Sequence, residues 1–205
     1  LDVGCGAGTL ALVAAGRGAP GVVAVDRSPR AGDLTRFNAA LHDAAIDVRV
    51  GDLVEPVRDE SFDLVVSQPP YLPLPPGVPP TGYLHGGVFG DEVARRLLAV
   101  LPSVLAPGGV GIVRADRAVD AEPFAGIELS WPGPDPTDVA AAYAATHVAD
   151  EGTERDDVAA RYRSHLPRFR SALVVVGAGP TSRPVAVELE AQPASWEALT
   201  AAARF

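Results

Sequence analysis

Leu1-Asp2-Val3-Gly4-Cys5-Gly6-Ala7-Gly8-Thr9 opens the chain and decides how the rest of it is read. A short apolar segment runs into three glycines at alternate positions, and Thr9 to Gly16 then reads as a helix. Glycines in such a turn let the backbone fold tightly and let a ligand lie against bare main chain. The dinucleotide fingerprint G-x-G-x-x-G occupies the same place between a strand and a helix, and it does not fit. Counted from Gly4 its third glycine falls on Thr9, and counted from Gly6 it falls on Ala11. A nicotinamide oxidoreductase is the weaker reading of this turn.

Outward from the turn, strand and helix patterns alternate. Val22 to Asp26 is an apolar run ending in a carboxylate, the pattern of a strand buried on both faces. Asp33 to Ala45 reads as a helix with Leu34, Phe37 and Leu41 on one apolar face. Val48 to Val50 and Phe62 to Ser67 read as strands, the second stopped by Pro69-Pro70. Asp91 to Leu105 is an amphipathic helix, and Val110 to Arg114 is the next strand. Thr137 to Ala149, Asp156 to Leu166 and Trp196 to Arg204 read as helices. Ala172 to Val176 and Val185 to Leu189 read as strands joined at Gly177-Ala178-Gly179-Pro180. This alternation predicts an α/β, Rossmann-like, doubly wound, mainly parallel sheet with helices on both faces and a C-terminal antiparallel hairpin. No repeat or linker divides residues 1–205, so a single domain is expected. The chain contains no Met, so a natural N-terminal segment is expected ahead of Leu1.

Composition removes several chemistries. All 17 basic residues are Arg, so a Schiff-base lysine, a pyridoxal-phosphate anchor and a P-loop lysine are excluded. The net charge of −9 argues against a protein that grips nucleic acid through its overall charge. Cys5 is the single cysteine, which excludes a disulfide framework and points to a reducing, cytoplasmic setting. No apolar run approaches the roughly 20 residues that span a bilayer. His147 and His165 have no ligand-spaced partners, so no metal is expected.

Two acids follow the turn at strand ends. Asp26 can take both hydroxyls of a ribose, and Asp52 sits where an adenine amino group can be held. Each alone reads equally as a surface carboxylate; the turn and the two acids in order describe an adenosine site. After the fourth strand comes Ser67-Gln68-Pro69-Pro70-Tyr71. The prolines fix the backbone so that the Gln68 amide and the Pro69 carbonyl point one way. A neutral amide and a carbonyl can orient a planar N–H₂ group, and Tyr71 offers it a face to stack on. That chemistry suits methylation of a poorly nucleophilic amide or ring amine; the plainer reading is a rigid exit turn.

These segments resemble the class I S-adenosylmethionine-dependent methyltransferases. From Leu1 to about Arg114 they are most similar to the release factor glutamine (N5-glutamine) methyltransferase group. The likeness runs through the glycine turn, Val25-Asp26-Arg27-Ser28-Pro29, Asn38-Ala39-Ala40, Gly51-Asp52-Leu53, Phe62 to Tyr71, Gly86 to Asp91 and Leu105 to Gly109. It implies S-adenosylmethionine as cofactor and S-adenosylhomocysteine as product. It implies that Asp2, Gly4, Cys5, Gly6 and Gly8 hold the methionine part, Asp26 and Arg27 the ribose, and Asp52 and Leu53 the adenine. It places Gln68, Pro69, Pro70 and Tyr71 at the methyl acceptor, with Gln68 also touching the cofactor. The group's tetrapeptide usually begins with Asn. Gln68 moves the amide by more than about one ångström, which implies a different acceptor or a rebuilt pocket.

Residues 69 to 90 hold seven prolines and read as a stiff lid beside the acceptor site. Within it, His85 is a candidate to take a proton from the acceptor, or a solvated loop histidine. Tyr83 and Trp131 can line a substrate pocket, and Trp131 can equally pack a corner. Arg161, Arg163, Arg168 and Arg170 read as part of a mixed solvated surface or as a hold on an acidic partner. The expected function is N-methylation of an amide or amine of a protein glutamine or small metabolite. The rivals are O-methylation of a small metabolite, aromatic ones included, and a non-catalytic cofactor-binding module.

Overall fold

The computed structural model describes residues 1–147, 152–178 and 184–194. The expected helix at Trp196 to Arg204 lies outside them, as do Val148 and Ala149 of the expected helix from Thr137 and Gly179 and Pro180 of the expected turn.

The first half alternates as its sequence predicts. β1 (Asp2–Val3), β2 (Val23–Asp26), β3 (Asp47–Val50) and β4 (Phe62–Ser67) are joined by α1 (Thr9–Gly16), α2 (Pro29–Leu41) and irregular chain. After β4 come two short paired strands, β5 (Leu72–Pro73) and β6 (His85–Gly87), then α3 (Glu92–Val100) and β7 (Leu105–Ala118). The remainder is β8 (Ile127–Pro132), α4 (Pro136–His147), α5 (Thr153–His165), β9 (Phe169–Gly177) and β10 (Val185–Glu188).

The main sheet has the order β10-β8-β9-β7-β4-β1-β2-β3. Strands β3, β2, β1, β4 and β7 run parallel to one another. The order leaves β1 towards β2 and β3 on one side and towards β4 and β7 on the other. The crevice at the carboxyl ends of β1 and β4 is therefore the switch point where doubly wound sheets bind ligands. Register aligns those ends, since Val3 pairs with Val25 and Ser67, and Asp26 pairs with Val50.

The antiparallel part is present with different partners from those expected. β9 runs antiparallel to both β7 and β8, and β10 pairs with β8 in parallel. Ala172–Val176 and Val185–Leu189 thus do not form a hairpin with each other; β8 lies between them. The segment Ile127–Pro132, where Glu128, Leu129, Ser130 and Trp131 are all buried, takes the central place. Its Pro132 and its mixed polar run hid it from a reading by alternation.

α2 also departs from its expected face. It begins at Pro29, four residues early, because the Ser28 hydroxyl caps Ala31 N–H and Pro29 starts the first turn. Its buried residues are Gly32, Thr35 and Ala39, while Phe37 and Leu41 are 61% and 67% exposed. Close approach to the glycine turn and to β3 demands small residues, so the periodic apolar set points outward. Gly32 shows the tightness, since a Cβ there would meet Val50 at 3.3 Å.

The principal core joins Val25, Val65 and Val113 of the sheet to Leu97, Leu98 and Leu101 beneath it. A second cluster fastens the proline-rich segment to the C-terminal helices through Leu72, Val78, Tyr162, Leu166 and Phe169. A salt bridge is buried at the β7–β8 side. Glu128 accepts from Arg117 Nε at 2.9 Å and from Phe124 N–H at 2.8 Å.

Candidate active site

The glycine turn is held in shape from three directions. Gly4 N–H and Cys5 N–H both donate to Val25 O, and Gly6 N–H donates to Asp26 Oδ2 at 2.9 Å. From α2, Thr35 donates its hydroxyl to Gly6 O at 3.1 Å and Asn38 donates to Ala7 O at 2.8 Å. Gly8 has φ +84°, and a Cβ there would lie 2.8 Å from Thr35 Cγ2, so only glycine fits. Thr35 was not legible as part of the site, because its role is to brace a loop 29 residues away. Cys5 is buried against Thr35, and burial pushes its thiol up to about 11, so it is an inert packing residue.

Asp2 lies beneath the turn. Its Oδ2 accepts from Ala11 N–H at 3.0 Å, while its buried Oδ1 has no hydrogen-bond partner. Burial pushes the carboxyl up to about 6, against the lowering effect of the Ala11 N–H. A cavity of about 270 Å³ opens here, lined by Asp2, Gly4, Cys5, Thr9, Leu10 and Gln68. The orphaned carboxylate oxygen suits a ligand ammonium. The first-turn N–H groups of α1, at Thr9 and Leu10, suit a carboxylate. The cavity therefore fits an amino-acid moiety, as in S-adenosylmethionine.

The other predicted cofactor residues stand along the same sheet edge, outside this cavity. Asp26 accepts from Gly6 and Ser28 N–H groups, and Arg27 is exposed. Asp52 is paired with Arg96 of α3 at 2.7 Å, and Leu53 packs on the core with φ +49°.

Gln68 is exposed and its carboxamide has no protein partner among the described residues, whereas Pro69 is buried. The turn rests on a bed of glycine. A Cβ on Gly86 would lie 2.4 Å from Pro70 O and 2.1 Å from Gly90 O.

At its far end the turn walls a second cavity of about 100 Å³, lined among others by Tyr71, Arg114, Asp116, Val139, Tyr143 and Phe169. Arg114 lies over the Tyr71 ring at 5.3 Å and the Trp131 ring at 5.9 Å. It donates to Asp116 Oδ1 at 2.5 Å and to Ser171 Oγ at 3.2 Å. Trp131 is thus buried one layer behind this cavity. Burial and the Tyr71 phenol push Tyr143 up to about 12, so it stays a neutral hydrogen-bonding group.

Tyr83 is 75% exposed and lines neither cavity. His85 is buried: its Nδ1 accepts from Thr81 N–H at 2.8 Å, and its Nε2 meets Tyr162 Oη at 2.8 Å. That leaves Nε2 as the protonated nitrogen donating to Tyr162, whose hydroxyl then donates to His147 Nε2 at 2.9 Å. Burial lowers the pKa of both histidines. The four arginines are dispersed: Arg161 bonds Pro76 O, and Arg170 bonds Ser130 on β8.

A doubly wound sheet with an amino-acid-shaped cleft at its switch point defines a Rossmann-like cofactor-binding protein. The chain belongs to the methyltransferase small domain family, whose model matches residues 1–125. It is 40% identical over 120 residues to the release factor glutamine methyltransferase of Geobacter sulfurreducens, covering 53% of this chain and 42% of that protein. It is 35% identical over 146 residues to the ribosomal protein uL3 glutamine methyltransferase of Bradyrhizobium diazoefficiens, covering 64% and 45%. The matches thus span somewhat under half the length of these curated relatives. A crystal structure of coclaurine N-methyltransferase bound to N-methylheliamine and SAH shares the fold at TM-score 0.51 and 12% identity, covering 86% of this chain and 64% of that one.

Proposed function

We propose that this chain is the catalytic domain of an S-adenosylmethionine-dependent methyltransferase acting on the side-chain amide nitrogen of a protein glutamine. The observation that carries the reading is Gln68. Its unpartnered carboxamide lines the same cavity as Asp2 and the glycine turn, so acceptor-orienting and cofactor-holding groups share one wall. The names of the curated relatives, glutamine methyltransferases of a release factor and of a ribosomal protein, support the acceptor class.

The cofactor supplies a methyl group already activated on a sulfonium, so alignment is the protein's main task. Asp2 holds the ammonium, and the N-terminus of α1 holds the carboxylate. Gln68 accepts from the acceptor N–H₂ through its amide oxygen, the Pro69 carbonyl accepts from it too, and Tyr71 stacks against it. Methylation leaves a proton on nitrogen, which passes to water, since both His85 nitrogens are engaged.

Methyl-labelled S-adenosylmethionine incubated with the protein and a cell extract tests this directly. Label on a protein band, mapped to glutamine and reduced at least about 100-fold by Gln68→Ala, is the expected outcome. Label confined to small molecules, or transfer indifferent to Gln68→Ala, overturns it in favour of metabolite or oxygen methylation.

A further inference from the structure

The Gln68–Tyr71 turn has a cavity at each end. The cofactor-type cleft meets it at Gln68, and the smaller cavity meets it at Tyr71, at most about 10 Å along the chain. Four of the smaller cavity's walls, Pro134, Val139, Tyr143 and Phe169, lie beyond the family match at residue 125. Its ligand is therefore chosen jointly by residues inside that match, Arg114 and Asp116 among them, and by residues beyond it.

Size and charge restrict the ligand. At about 100 Å³ the cavity has room for one small group of a ligand and not for a whole acceptor. Asp116 and Arg114 neutralise each other, which disfavours a carboxylate or an ammonium. Each still has capacity to spare. Arg114 has five N–H donors, of which three are bonded, to Ala115 O, Asp116 and Ser171. Asp116 Oδ2 accepts no bond among the described residues, and the Tyr143 phenol faces the same space. A donor set beside an acceptor, in a neutral site with apolar walls, is complementary to an uncharged amide.

We propose that this cavity anchors the methyl acceptor by a second, non-reacting amide, with Arg114 donating to its carbonyl oxygen and Asp116 accepting from its N–H. The acceptor then carries a second amide beside the reacting one, as a peptide does and an isolated side chain does not, a conclusion that rests on the Gln68–Tyr71 turn holding the reacting nitrogen. Arg114, Asp116 and Tyr143 are specificity-determining residues that do not touch the reacting atoms.

The test titrates N-acetylglycinamide, a ring-free neutral diamide, into the chain loaded with S-adenosylhomocysteine, following the Trp131 indole N–H by NMR. Saturable binding is expected, with acetate and glycine at least tenfold weaker. Asp116→Asn should weaken the diamide at least tenfold and raise acetate affinity about tenfold, because the Arg114 charge is then unopposed. Val139→Phe should abolish binding by filling the cavity. Tyr143→Phe, the mildest change, should weaken binding about threefold, and retention of S-adenosylhomocysteine affinity within twofold reports that each variant folds. Absence of diamide binding, acetate binding as tight as the diamide, or indifference to both Asp116→Asn and Val139→Phe overturns the proposal. If Gln68→Ala abolishes methyl transfer while diamide binding ignores these changes, the anchor fails and the methyltransferase reading stands. If diamide binding tracks Asp116 and Val139 but no glutamine is methylated, the anchor stands and the acceptor reading fails.

Discussion

Asp2 carries a conflict between stability and binding. Its carboxyl sits at about 6 in the folded chain against an ordinary 3.8, so the folded state holds the extra proton between those values. Stability of the empty protein therefore falls as pH rises from about 4 to 6. The ionised form costs the fold about 3 kcal/mol above that range. A bound ammonium needs that same ionised form. Affinity for S-adenosylhomocysteine is expected to rise about tenfold per pH unit up to pH 6 and then level. Asp2→Asn should weaken binding, flatten the pH dependence and raise the melting temperature of the empty protein at pH 7. Calorimetry at pH 5, 6 and 7 checks it; equal slopes in both proteins would remove Asp2 from the ammonium site. Asp2 and the glycine turn were legible because a turn of bare backbone needs glycine and leaves a visible spacing. Thr35 and Asn38 were not, because bracing a distant loop leaves no local pattern.

At the scale of elements, the proline-rich segment is a fixed platform more than a free lid. Gly86 lets β6 lie directly against Pro70 O, and Gly90 closes on Tyr71 O. Gly86→Ala must displace the Gln68–Tyr71 turn, the proposed acceptor site. Methyl transfer is expected to fall about 100-fold with cofactor affinity within twofold. Gly82→Ala, where no atom lies within 4 Å, should be silent. Steady-state kinetics beside calorimetry separates the two effects. The His85–Tyr162–His147 chain ties the same platform to α4 and α5. Both histidine pKa values are lowered, so the unfolded chain binds more protons below about 6.5 and stability falls as pH drops through that value. Asp2 has the opposite sign at lower pH, so the useful quantity is the difference between the wild type and His85→Gln in thermal melts from pH 5 to 7.5. A difference that does not grow as pH falls would show that the imidazoles do not titrate with unfolding. None of this was legible in the sequence: His85 and His147 lie 62 positions apart, on β6 and α4, and only the packing of α5 brings Tyr162 between them.

For the molecule as a whole, the antiparallel half depends on the buried Arg117–Glu128 pair, 3% and 0% exposed at the side chains. Glu128→Ala removes the buried guanidinium's close partner, leaving it only the exposed Glu188 at 3.9 Å, and is expected to cost about 3–5 kcal/mol in urea denaturation. Glu128→Gln, which can still accept from Phe124 N–H, should cost less; an Ala variant within about 1 kcal/mol of wild type would mean that Arg117 finds water instead. The sequence by itself determined the doubly wound parallel half, its glycine turn, the acids at the strand ends and the Gln68–Tyr71 turn. Those features are local: hydrophobic period, proline, glycine and strand-end position are written into short runs of chain. The tertiary structure alone decided the place of β8 between β9 and β10, the outward face of Phe37 and Leu41, and the burial of His85. It alone assembled the Arg114–Asp116–Tyr143 cavity. Each of these is a choice between partners far apart in the chain, settled by which side chains fit against one another, and no local pattern encodes it.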